Sequence, residues 1–276
     1  MGKTNRLLIF YSVLLVIAVA SMIFIHQSQI GRQKAARDYP EIAAEGVLRL
    51  VTEYSTSGYF IDGDTIRGFQ YELSQAISHR SGLEVQNILE MNLAESFRLL
   101  DEQACDIIAR NIPITTELKE KYLFTDPIIL DKQVLVQRKA SANGGIQPLR
   151  NQLELAGKTL YIAKDSPARL RIRNLQEEMG DTIYLYEDEL YSDEQLIILV
   201  AHGDIDFAVC DYQVAQAATH QFPEIDIQTD ISFTQLQSWA VRKDSPVLLD
   251  SLNRWLYDLK ESGLYTKIHQ RYFPEK

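Results

Sequence analysis

The sequence predicts an α/β protein made of two successive units, each built on a mainly parallel sheet. Three observations predict it. Strand-like and helix-like stretches alternate from Val47 to Asn111. The alternation restarts after a loop marked by Gly144 and Gly145, and one further strand and two helices are left over from Leu236 onward.

The first element precedes this rhythm. "MGKTNR" is basic, and Leu7 to Ile25 follows without a charge, about the ~20 apolar residues that cross a bilayer as a helix. Its basic flank assigns residues 1–26 to a cytoplasmic stub and transmembrane signal anchor, with everything after His26 on the outer side. The alternative is a cleaved signal with "AVAS" (Ala18 to Ser21) as the cut site. No cysteine lies in this segment, which excludes a lipoprotein. Residues 27–45 are polar, lack strong periodicity, and read as a linker or short juxtamembrane helix.

In the first unit, Val47–Glu53 is a strand. Phe69–Gly82 is a helix, with Tyr71, Leu73, Ala76 and Ile77 at helical spacing and Gly82 closing it. Leu83–Leu89 is a strand, Leu93–Gln103 a helix and Cys105–Asn111 a strand. In the second unit Lys158–Ala163 is a strand. Ser166–Gly180 is a helix, with Ser166 as cap and Pro167 at its first position. Thr182–Glu187 is a strand, Ser192–Gly203 a helix, Ile205–Cys210 a strand, and Asp211–His220 begins another helix.

Composition narrows the function. Of 276 residues, 46% are apolar and 24% charged, as in globular proteins, and the formal charge of −10 argues against nucleic acid. Cys105 and Cys210 read as small buried apolar residues in separate strands. The five histidines lack metal-ligand spacing, and nothing points to a cofactor. In open parallel sheets, ligands lie beyond the carboxyl ends of strands. Three strand ends run into capped helices here: "ARNIPITT", "IAKDSPA" and "AVCDYQ". Together they predict a cleft between two lobes.

The segments "GFQYELSQAI", "CDIIARNIPITTELKEKYLFTDPI", "HGDIDFAVCDYQVA" and the ending from Trp239 to Phe273, in this order, resemble the extracytoplasmic solute-binding proteins of family 3. The resemblance covers about Gly46 to Phe273. The stretch from Ser192 to Asp211 is especially similar to the regulatory domain of membrane-bound lytic murein transglycosylase F. The resemblance implies a two-lobed, type II periplasmic binding protein with two crossover strands near "QVLVQRK" and "SWAVRK". Lobe one would comprise residues 46–135 and 240–276, and lobe two residues 136–239.

By position, the resemblance implies that Asp211 holds a ligand's α-ammonium group, although Asp211 also suits an N-cap. It places Lys164, Asp165 and Ser166 at a carboxylate-binding turn, and Tyr54, Ser57, Tyr59 and Phe60 in a loop of aromatic walls. The family's Thr-x-Thr-x-x-Arg pattern is broken. Pro113 and Leu118 replace the first threonine and the arginine, while Thr115 remains. Leucine cannot fork onto a carboxylate. Arg110 or Asn111 could substitute, and strand alternation turns at most one of them to the ligand.

The expected function is therefore a membrane-anchored periplasmic binding protein for an amino-acid-like ligand, a peptide or a muropeptide, working with an ABC permease or a cell-wall enzyme and catalysing no reaction. The alternatives are an enzyme of the dehydratase type and a non-binding regulatory domain. With the chain ending at "YFPEK", murein cleavage by it is not expected.

Overall fold

The computed structural model describes Met22 and residues 37–164 and 166–273. The expected anchor apart from Met22, the linker up to residue 36, and Asp165 lie outside the described residues. Among the described residues no helix is long and apolar enough to cross a membrane.

The first lobe is a six-stranded sheet. A short helix α1 (Tyr39–Glu45), boxed at its start by Asp38 and Glu41, leads into β1 (Val47–Thr52). β1 lies between β4 (Glu84–Leu89) and β5 (Ile107–Pro113), parallel to both. β13 (Gln235–Arg242) returns from the second lobe and pairs antiparallel with β5, β6 (Tyr122–Phe124) and β7 (Ile129–Asp131). A hairpin of β2 (Phe60–Asp62) and β3 (Thr65–Arg67) stands apart. Helices α2 (Phe69–Ser81), α3 (Leu93–Asp101) and α4 (Thr116–Lys121) connect these strands, and α8 (Pro246–Glu261) and α9 (Leu264–Tyr272) complete the lobe. Its main core joins Phe69, Leu73 and Ile77 of α2 to Trp239 of β13 and Leu252 and Leu256 of α8.

The second lobe is a five-stranded sheet in the order β10-β9-β11-β8-β12. β9 (Thr159–Ala163), β10 (Tyr184–Asp188) and β11 (Ala208–Asp211) run parallel. β8 (Gln133–Arg138) and β12 (Ile225–Asp230) run against them. Helices α5 (Ala168–Met179), α6 (Asp193–His202) and α7 (Tyr212–Ala218) join these strands. One apolar cluster packs under α5 and another under α6 and α7. The architecture is thus a mixed α/β protein of two domains. The two cysteines are free and fully buried in different lobes.

Two details differ from the sequence reading. All of β8 belongs to the second sheet and all of β13 to the first, so the chain changes lobes at Lys132 and again at residues 231–234. Residues 133–135 and 235–239 therefore sit on the opposite sides from those expected. A continuous apolar strand has no sequence mark where it leaves one sheet for the other. In α5 the cap position is Pro167, one residue later than expected, though the Ser166 hydroxyl still accepts the Ala168 N–H at 3.3 Å.

The changeovers are stitched together. Lys132 Nζ pairs with Asp230 at 2.7 Å, the Gln133 N–H donates to Ser232 Oγ at 2.9 Å, and the Ile231 N–H to Gln133 O at 2.9 Å. Both crossings thereby form one two-stranded joint between the lobes.

Candidate functional site

The site is assembled from the carboxyl ends of β1, β5 and β11 and the start of α6. Asp211 ends β11 and stands directly opposite Gln133 of β8, whose Nε2 donates to its Oδ1 at 3.2 Å. It occupies the N-cap position of α7, yet its side chain caps nothing. The joint does that work instead. The Tyr212 N–H donates to Lys132 O at 2.8 Å, and the Gln213 N–H to Asp131 Oδ1 at 3.3 Å. With the first two N–H groups of the helix start satisfied by Lys132 and Asp131, the Asp211 carboxylate is left for another partner.

Three more carboxylates gather here. Asp193, first residue of α6, accepts the Asp211 N–H at 2.7 Å. Glu194 follows it and is held by the Ser192 hydroxyl at 2.7 Å. Glu53, just beyond β1, pairs with Arg110 of β5. The charges of Glu53, Glu194 and Arg110 all reach Asp211, so the group spans both lobes. Burial pushes the Asp211 carboxyl up to about 6, with Glu53 and Glu194 adding to the rise against the Gln133 bond. Asp193 is raised well above the ordinary carboxylate range, first by burial and then by the Asp211 charge. Asp131 behind them is pushed up to about 8 for the same two reasons.

The loop that carries Glu53 is fixed by close approach. Gly68 has φ +134°, and a Cβ there would stand 2.1 Å from Gly58 O. This approach lets Ser57 O and Gly58 O accept the Gln70 and Tyr71 N–H groups at 2.9 and 3.1 Å. They cap α2, whose own N-cap glycine has no side chain to do so.

The expected site residues divide accordingly. Arg110 pairs with Glu53 and lies near enough to Asp211 for its charge to lower that carboxyl. Ser57 is buried by its capping role, and its hydroxyl lies 3.1 Å from Ser55 Oγ. Asn111 accepts from Gln70 Nε2 at 2.6 Å, and Gln70 in turn accepts the Trp239 indole N–H at 2.6 Å. Neighbours on β5 thus have different partners, as strand alternation requires. Thr115 accepts the Leu118 N–H at 3.2 Å as the N-cap of α4. Tyr54 is half exposed, and Tyr59 stacks edge-on with Tyr71 at 5.4 Å. Phe60 lines a cavity of about 230 Å³ with Thr56, Arg67, Gln213 and Tyr272. Lys164 pairs with Glu189 at 3.3 Å. Leu118 packs against the buried cluster that includes Val51, Ile112 and Tyr122.

Sequence reasoning missed Thr56, Gln133, Asp193 and Glu194 as site residues. Asp193 and Glu194 read as ordinary acidic first-turn residues, and only the fold brings them to Asp211. Among the described residues no group of three or more His, Cys, Asp or Glu side chains is arranged to hold a metal ion.

Residues 48–275 match the bacterial extracellular solute-binding proteins, family 3. The chain belongs to that family. Curated relatives of this solute-binding chain include a membrane-bound lytic murein transglycosylase F from Desulfosudis oleivorans, 28% identical over 84% of the chain and 50% of the relative. Another, from Photobacterium profundum, is 26% identical over 86% and 45%. The chain spans about half the length of these relatives. Among solved structures, a mutant of the protein ArgBP from T. maritima is 26% identical with a TM-score of 0.72, covering 86% of this chain and 99% of that one. An ancestral arginine-binding protein bound to arginine is 25% identical with a TM-score of 0.71, covering 83% and 98%. The fold is also that of an ancestral amino acid-binding protein described as a precursor of cyclohexadienyl dehydratase, 21% identical with a TM-score of 0.73 over 85% of this chain and 98% of that one.

Proposed function

We propose that this solute-binding domain captures a small polar ligand in the cleft between its lobes, with Asp211 holding a positively charged group. The observation that carries this is the position of Asp211. It is a carboxylate at a helix start whose capping work is done by Lys132 O and Asp131, and among the described residues only Gln133 donates to its side chain. A charge left in a closing cleft gains most from a partner when water is excluded. The arginine-bound neighbour supports a ligand of amino-acid size.

The apolar run from Leu7 to Ile25 and the membrane-bound relatives support an anchored domain that works in the periplasm. Binding, not turnover, is its task, with an ABC permease or a cell-wall enzyme as the partner that reads occupancy. The transglycosylase relatives favour the wall enzyme as that partner.

A thermal-shift screen of amino acids, muropeptides, amines and sugars tests the reading. A ligand should raise the melting temperature with its concentration over its dissociation constant. No shift from any class refutes capture, and consumption of a screened compound refutes simple binding.

A further inference from the structure

We propose that the ligand is an organic cation without a carboxylate, an amine or guanidinium compound rather than an α-amino acid. This rests on the cleft reading above and narrows it. An amino acid brings one carboxylate that needs a cationic clamp, and the nearby cations are already held. Arg110 pairs with Glu53 and donates through Nη1 to Glu90 O at 3.4 Å and Met91 O at 3.2 Å, leaving its side chain 13% exposed. Lys132 is held by Asp230 and Lys164 by Glu189. Leu118, where the family pattern would place an arginine, packs on the apolar cluster of the first lobe.

The negative side is in surplus. Glu53, Glu194 and Asp211, with the buried Asp193 hydrogen-bonded to Asp211, converge on a cleft to which, among the described residues, Arg110 brings the countercharge. An independent observation comes from behind them. Asp131 is 2% exposed, its Oδ2 has no hydrogen-bond partner among the described residues, and burial together with the Asp211 charge makes its carboxyl keep a proton. The position beside Asp211 thus does not tolerate a second negative charge. A cation in the cleft offsets the charge on Asp211, whereas a ligand carboxylate adds to it.

Two matched pairs decide the matter, because agmatine is arginine without its carboxylate and cadaverine is lysine without its own. Calorimetric titration of the full chain in detergent should show each amine binding at least roughly tenfold more tightly than its amino acid. An amino acid that binds as well as its amine overturns the inference and leaves the cleft reading intact. Failure of all four to bind also overturns it, while the wider screen above judges the cleft reading separately.

Two variants test the residues. Asp211→Asn should weaken amine binding by roughly tenfold to a hundredfold. Glu53→Gln should release Arg110 and shift the amine-to-amino-acid ratio toward the amino acid. An unchanged ratio in a folded Glu53→Gln protein overturns the assignment.

Discussion

The backbone N–H and the hydroxyl of Thr56 both donate to one oxygen of Glu194, at 3.2 and 3.1 Å. Thr56 lies in the first lobe and Glu194 at the start of α6 in the second, so this pair is a latch across the cleft. Water reaches it, so the contribution is modest. Glu194→Ala should shift the lobes toward open forms and weaken ligand binding by roughly three- to tenfold. Small-angle scattering should show a larger radius of gyration without ligand. Identical scattering for both proteins would mean that the latch does not hold the lobes.

Asp131 makes stability depend on pH. Its native carboxyl, pushed up to about 8 by burial and by Asp211, retains a proton that the unfolded carboxyl releases near ~4. The folded state therefore binds more protons between these values, and stability falls as pH rises through that window. The contribution is intact below about pH 4 and gone above about pH 8. Asp131→Asn keeps an oxygen for the Lys132 and Gln213 N–H groups but cannot ionise. Its melting temperature should exceed that of the parent by a margin that grows from pH 5 to pH 8. A constant margin would show that Asp131 does not titrate in this range.

The Gly58–Gly68 approach predicts a steric effect at a distance. A methyl group on Gly68 would meet backbone atoms of residues 58 and 59 at 2.1 to 2.9 Å, and these cannot swing aside like a side chain. Gly68→Ala should cost on the order of 2–4 kcal/mol, from strain at positive φ and from the displaced loop. Because that loop carries Glu53 and Thr56, ligand affinity should fall as well. Chemical denaturation and titration check the two effects. Wild-type stability would show that the loop yields freely.

The fold was more legible in the sequence than the site. Period-two and period-3.6 patterns place the longer strands and helices, because burial on one face repeats at those intervals, but not β2, β3, β6, β7, β12, α1 or α4. Asp211 and Arg110 stood out as candidates in the sequence because ligands lie beyond strand ends in such sheets. The neutralisation of Arg110 by Glu53 was not legible, since it joins different strands at a distance that no local pattern encodes. Nor was the freedom of Asp211, whose cap comes from Lys132 and Asp131, some eighty residues earlier. An N-cap Asp reads the same whether its helix needs it or not.

The last expectation concerns the first lobe rather than the cleft. Arg242 of β13 and Asp106, the residue before β5, are 5% and 0% exposed and lie 3.3 Å apart. Asp106 also accepts the Arg49 N–H at 3.0 Å, and Arg242 donates to the carbonyls of Leu100 and Cys105. The pair thus joins β1, β5 and β13, and each partner solvates the other where water does not reach. Arg242→Ala should destabilise by about 3–5 kcal/mol, because it strands the Asp106 carboxylate in the core. Adding Asp106→Asn should recover part of that loss, since the remaining group is then neutral. Urea unfolding of both single variants and the double variant measures the coupling, and strictly additive losses would show that the two groups act independently.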